Sequence, residues 1–181
     1  MPRDTSRLDM SVDFQPVNIA VLTISDTRTP DDDRSGDLLA ERIAEDGHVL
    51  ASRMIVTDDV DRITARLQDW IEDPQIDVIV TTGGTGLTGR DSTPEAFDRT
   101  VEKAIPGFGE LFRQLSYEKI GTSTIQSRAV AGVAGGTYLF ALPGSPSGCR
   151  DGWDDILRYQ LDIRHRPCNF VEIMPRLAES A

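Results

Sequence analysis

Several ordinary ingredients are scarce in this chain, and each shortage excludes something. No apolar stretch approaches the ~20 residues that cross a bilayer, and residues 1–7 lack the apolar segment of a signal peptide. Together these predict a cytoplasmic protein. The two cysteines, Cys149 and Cys168, lie far apart and form no C-x-x-C. That predicts two reduced thiols rather than a disulfide. His48 and His165 add no zinc-ligand spacing. Basic residues are outnumbered: 19 Lys and Arg stand against 30 Asp and Glu, a formal net charge of -11. Sequence-independent nucleic-acid binding needs cations against phosphates, so this balance argues against it. An acidic chain that handles an anion needs local positive groups or a divalent cation at its site.

What is present describes an ordinary globule. With 181 residues, 39% apolar and 27% charged, the chain suits one domain burying about two-thirds of its unfolded surface. Residues 1–15 are polar with little periodicity and read as a flexible N-terminal arm, which a neighbouring subunit could order. Residues 16–181 form the single domain.

The apolar runs at 17–24 and 78–80 read as strands buried on both faces. A looser alternation at 48–56 gives another strand between them. Helical spacing fills 35–46, with Leu38, Leu39 and Ile43 on one face, and then the segment carrying Ile63, Leu67, Trp70 and Ile71. The acidic run Asp31, Asp32 and Asp33 reads as a solvated loop. Further helices are expected at 94–103, at 109–119 after a break at Pro106 and Gly107, and at 148–161. Strands at 129–133 and 137–142 flank Gly135 and Gly136, a loop covers 121–124, and the tail 166–170 reads as irregular. Trp70, Trp153 and Phe170 are assigned to packing. Strands alternating with helices predict a three-layer α/β/α fold, its mostly parallel sheet covered on both faces.

Residues 77–98 are the focus of the chain. An apolar strand runs into four glycines in seven residues, Gly83 to Gly89, and Pro94 and Glu95 mark a following helix start. Strand, glycine loop and helix can hold a phosphate on bare N–H groups. A tight turn with no ligand is the plainer alternative. The run matches G-x-G-x-x-G, but Arg90 to Thr93 intervene before the helix and the loop follows the third strand, which disfavours a nicotinamide-dependent oxidoreductase. No Gly-Lys-Ser/Thr follows, so it is not a Walker A loop. Ser25 and Asp26, the glycine loop, and the segment Pro143 to Gly148 all fall at strand C-termini, where open α/β sheets bind ligands on one edge.

Thr82-Gly83-Gly84-Thr85-Gly86, Arg90-Asp91 and Thr93-Pro94-Glu95 closely resemble the signature of the molybdenum cofactor biosynthesis family, which includes molybdopterin adenylyltransferases. The segments Pro106-Gly107-Phe108-Gly109-Glu110, residues 127–132 and Leu142-Pro143-Gly144-Ser145-Pro146 resemble family segments in family order. Residues 121–128 and 166–170 are similar to the MoaB branch in particular. The likeness covers about residues 17–170.

That resemblance implies a trimer or a dimer of trimers, and contact with other enzymes of the pathway. It implies adenylylation of molybdopterin by ATP with Mg2+ and release of pyrophosphate, or in some MoaB-like members a non-catalytic binding or carrier role. Gly83, Gly84, Thr85 and Gly86 would wrap the nucleotide phosphates. Ser25 and Asp26 would line the nucleotide end, with a plain strand-end turn as the alternative, and Pro143, Gly144 and Ser145 would close over the adenosine. Asp91 and Asp58 would be the catalytic acids and hold the metal, since two carboxylates near a triphosphate suit Mg2+. Asp59 beside Asp58 leaves a one-residue ambiguity, and Asp58 could instead cap a helix, as Asp91 could serve a turn. Ser116, Ser127 and Arg128 would bind molybdopterin, Arg128 by a forked contact to its phosphate. Ser116 could equally be an ordinary helix-surface serine.

Overall fold

The computed structural model describes residues 4–179. A six-stranded sheet has the order β2-β1-β3-β6-β5-β4. Its strands are β1 (Asn18–Ile24), β2 (Val49–Val56), β3 (Val78–Thr82), β4 (Lys103–Ala104), β5 (Val130–Ala134) and β6 (Thr137–Leu142). The first four in spatial order are parallel, whereas β5 and β4 are antiparallel to their neighbours. The sheet is thus mixed, and the β5–β6 hairpin is the pair expected around Gly135 and Gly136.

Alternation along each central strand builds two separate cores. Ile19, Val21, Val78, Val80, Tyr138 and Phe140 point to one face, and Ala20, Leu22, Ile24, Ile79, Leu139 and Ala141 to the other. This is the period of two that every strand has, with apolar residues on both phases because both faces are covered. Helices α1 (Arg34–Glu45), α4 (Pro106–Ile120) and the segment at 146–160 supply Leu39, Ile43, Phe112 and Trp153 to the first core. Helices α2 (Val60–Ile71) and α3 (Thr93–Thr100) supply Ile63, Leu67, Trp70 and Phe97 to the second. The result is the expected α/β/α arrangement. Trp70 and Trp153 are core residues, and Phe170 packs at the edge of the first core.

Four local expectations need correction. Pro106 opens α4 rather than breaking a helix, because a first-turn proline lacks only an N–H that would have no helical partner. Helix α3 stops at Thr100, and the short β4 occupies the gap by pairing with β5. Residues 121–126 form a 3₁₀ turn. The tail holds a short helix, α7 (Phe170–Ile173), capped by the Asn169 side chain. Helix α5 (Pro146–Gly152) continues through a π turn at Trp153–Leu157 into α6 (Arg158–Gln160).

The N-terminal segment also departs from the expected arm. Residues 1–3 lie outside the described residues. Beyond them, the Asp9 N–H donates to the Arg164 carbonyl, the Arg166 N–H donates to Arg7, and Asp9 pairs with Arg166. The Phe14 ring lies under the Arg164 guanidinium. Its own chain therefore supplies the partners expected from a neighbour. No helix among the described residues is long and apolar enough to cross a membrane.

Candidate functional site

Because β2, β1, β3 and β6 are parallel neighbours, their C-terminal ends share one edge. The loops leaving them enclose a cleft of about 570 Å³. It is lined by every candidate from the sequence except Arg128: Ser25, Asp26, Asp58, Gly83 to Gly86, Asp91, Ser116, Ser127 and Pro143 to Ser145. The three glycine-rich or polar segments thus form one composite site.

The glycine loop sits deep between β1 and β6. The Gly83 N–H donates to the Leu142 carbonyl, and φ at Gly83 is 102°. A Cβ there would stand 2.2 Å from the Ile24 carbonyl oxygen, so only glycine fits between these backbones. Gly84 has a φ of 66° and would drive a Cβ to 2.8 Å from the Asp58 carboxylate. The N–H groups of Gly84 and Thr85 donate to no other atom of the described residues. Polar backbone at such a place needs a partner from solvent or a ligand. The loop is pinned from the helix side, where the Thr93 hydroxyl donates to Gly83 and the Thr93 N–H to Gly84.

Asp58 and Asp59 occupy different places, and only Asp58 is among the described residues that line the cleft. Asp59 is the N-cap of α2, its carboxylate accepting from the Arg62 N–H. Asp58 is buried at 7% exposure and its Oδ1 accepts the N–H and hydroxyl of Ser92 at 3.0 and 2.6 Å. Its own N–H donates to Asp26. Asp58 therefore caps the segment before α3, not the helix that follows it in sequence. Asp91 closes a turn by accepting from the Thr88 N–H and hydroxyl. Burial pushes its carboxyl up, but the Thr88 hydrogen bonds, the Gly86 amide and the nearby Arg128 charge more than offset this and hold it below the ordinary value. Asp26 is held low chiefly by its two-point pairing with Arg90.

Asp33 is a site residue that sequence reasoning missed. Far from being solvated, it is 1% exposed and lines the cleft. It caps α1 through the Gly36 N–H and accepts from the Thr23 hydroxyl and Arg53. Burial raises its carboxyl, and these three partners overcome that and leave it lowered. Its signal was its place one residue before a helix, an N-cap hidden within an acidic run.

On the far wall, α4 and the 3₁₀ turn present Phe112, Ser116, Ile120, Thr124, Gln126 and Ser127. Ser116 is buried, which removes the surface-serine alternative. Pro143 accepts from the Thr82 hydroxyl, Gly144 from the Ser35 hydroxyl, and Ser145 caps α5. Cys149 lies beneath them as a free thiol that burial pushes up to about 11, and Cys168 is also free. Arg128 is the exception. Its guanidinium points behind the glycine loop, donating to the carbonyls of Gly86 and Asp91 and pairing with Glu95.

The cleft is acidic. Asp26, Asp33, Asp58, Asp91 and Asp151 line it, and Arg28 is the single cation among the described lining residues. An anionic ligand would have to bring its own counter-charge. No group of three or more His, Cys, Asp or Glu among the described residues is placed to hold a metal by itself. Two carboxylates suit Mg2+ that arrives with phosphates, because that ion keeps several waters and takes one or two carboxylates beside phosphate oxygens.

Comparison with known proteins agrees with this architecture. Residues 20–163 match the family described as a probable molybdopterin binding domain. Molybdenum cofactor biosynthesis protein B of Escherichia coli (strain K12) is 48% identical over 161 residues, 89% of this chain and 95% of that protein. A crystal structure of molybdenum cofactor biosynthesis protein B superposes with a TM-score of 0.82 at 38% identity, covering 90% of this chain and 96% of the other. The tungsten cofactor synthesizing protein MoaB from Pyrococcus furiosus gives 0.74 at 32% identity, covering 91% and 99%. A glycine loop, its two acids and a cleft at one sheet edge are therefore carried by a chain that belongs to the molybdenum cofactor biosynthesis family.

Proposed function

We propose that this chain adenylylates molybdopterin. A molybdopterin phosphate oxygen attacks the α-phosphorus of ATP, the bond to the β-phosphate breaks, and pyrophosphate leaves. The observation that carries the reading is that Gly84 and Thr85, whose N–H groups have no partner among the described residues, line one cleft with Asp58 and Asp91. Donors at a phosphate and acids for its counter-ion are the two requirements of nucleotidyl transfer.

Gly83 to Gly86 would hold the phosphates, and Ser25, Asp26 and Pro143 to Ser145 would border the nucleoside. Asp58 and Asp91 would hold Mg2+, which when bound supplies charge neutralisation across the phosphate oxygens. The lowered Asp91 carboxyl is ionised at neutral pH, as a metal ligand must be. Ser116 and Ser127 would meet the pterin from the opposite wall. The same reading includes a trimer or a dimer of trimers, for which exposed Tyr117, Ile120 and Ile125 beside the cleft offer apolar surface.

Incubation of the protein with molybdopterin, ATP and Mg2+ should yield adenylylated molybdopterin and pyrophosphate. Folded protein that gives no product above background from authentic substrate would sink the reading. A second reading, a non-catalytic molybdopterin-binding or carrier protein of the same pathway, draws on the cleft's having no group of three or more His, Cys, Asp or Glu placed to hold a metal among the described residues. It predicts calorimetric pterin binding without turnover.

A further inference from the structure

The surroundings of Arg128 point to a task other than holding a phosphate. The residue lies two positions before β5, and its backbone N–H donates to the Thr85 carbonyl at 2.9 Å. Its guanidinium Nε donates to the Gly86 carbonyl at 2.7 Å and Nη2 to the Asp91 carbonyl at 2.9 Å. The remaining Nη1 meets the carboxylate of Glu95 in the first turn of α3. One planar fork thus grips both ends of residues 86–91 and the start of the following helix, a geometry that Lys cannot reproduce.

The grip reaches both acids. Asp91 is held through its own carbonyl, and the next residue, Ser92, donates its N–H and hydroxyl to Asp58. Fixing the main chain at Asp91 therefore fixes the donor pair that orients Asp58. We propose that Arg128 is a positioning residue that sets the two carboxylates relative to the glycine loop, with Glu95 holding the guanidinium behind the loop and away from the ligand. This rests on the reading that the loop binds nucleotide. It also accounts for Glu95, an acid of the loop motif that has no other task in the cleft.

The test measures two ligands separately on the full chain by calorimetry: the Mg2+ complex of α,β-methylene-ATP, and molybdopterin. Arg128→Ala should weaken the nucleotide by about tenfold or more, the size expected for losing one or two charge-assisted hydrogen bonds, while molybdopterin stays within about twofold. Arg128→Lys should lie nearer to the alanine variant than to the wild type. The reverse pattern, pterin lost and nucleotide kept, overturns the proposal, and so does unchanged binding of both. If Arg128→Ala does not fold, Glu95→Gln decides by hydrogen exchange. The hydrogen-bonded amides of Thr88, Asp91 and Ser92 should exchange faster than in the wild type, and unchanged exchange overturns the proposal. Wild-type protein that binds no nucleotide would instead remove the adenylyl-transfer reading, with the exchange experiment still deciding the brace.

Discussion

The two walls of the cleft are built differently. The glycine-loop wall is a lattice of short polar links: Thr93 to Gly83 and Gly84, Ser92 to Asp58, Thr88 to Asp91, and Arg128 to three acceptors. The α4 wall has fewer such links: Thr124 to the Arg113 carbonyl, Arg113 to the Ser127 and Ala129 carbonyls, and Lys119 to Asp151 and Asp155. It presents Phe112 and Ile120 to the cleft and leaves Tyr117 and Ile125 exposed. A wall that places charge has to be rigid, since small displacements waste electrostatic interactions. A wall that receives a flat, partly apolar ring system works by area and a few hydroxyls. Under the proposed function the first wall is the nucleotide side and the second the pterin side.

Substitutions on each wall should separate these roles. Asp91→Asn carries the largest expected effect, abolition of adenylyl transfer in a protein that still folds, and wild-type product formation would break the assignment of the acid wall. Gly83→Ala should destabilise the fold by about 2 kcal/mol or more, because it adds strain at positive φ and a clash with Ile24. Urea unfolding measures it, and a shift under 0.5 kcal/mol, the usual range of surface substitutions, would show that the loop is not wedged as described. On the other wall, Ser116→Ala should weaken molybdopterin by roughly three- to tenfold, the worth of one hydrogen bond, and leave nucleotide affinity unchanged. Equal loss of both ligands would erase the division of labour. Asp59→Ala should cost about 1 kcal/mol of stability as a lost helix cap, with activity retained, whereas Asp58 variants should lose activity.

Acid should weaken the carboxylate links around the cleft. Their hydrogen-bond and charged partners hold the Asp33 and Asp91 carboxyls below the ordinary aspartate range. Their contribution is therefore full above about pH 4 and is lost as pH falls through the shifted values. Urea midpoints measured from pH 7 to pH 3 should show this decline, and Asp33→Asn should make it shallower.

Much of the polar wall was legible in the sequence because it is local. Strand, glycine loop and helix start follow one another within 77–98, so the neighbours in space are mostly neighbours in sequence. The central strands were equally clear, since burial on both faces leaves continuous apolar runs. What escaped depended on distant partners. Asp33 reads as solvated until Thr23 and Arg53 are brought to it. Arg128 reads as a free phosphate ligand until Gly86, Asp91 and Glu95 surround it. Pro106 misleads by itself, because the same ring that ends one helix can begin another. The short β4 has no pattern in two residues, and it exists only because β5 offers it an edge.

The β5–β6 hairpin has one further consequence. Reversal at Gly135 and Gly136 sends β5 against its neighbour, with Val130 opposite Ala141 and Ala134 opposite Thr137. The entrance of β5 rather than its exit therefore reaches the ligand edge, which is how Ser127 comes to line the cleft and Arg128 to brace the glycine loop behind it. The tip of the hairpin lies at the opposite edge of the sheet. A reporter sequence spliced between Gly135 and Gly136 would thus sit a full strand length from the cleft, giving a handle for labelling the protein while its binding surface stays open.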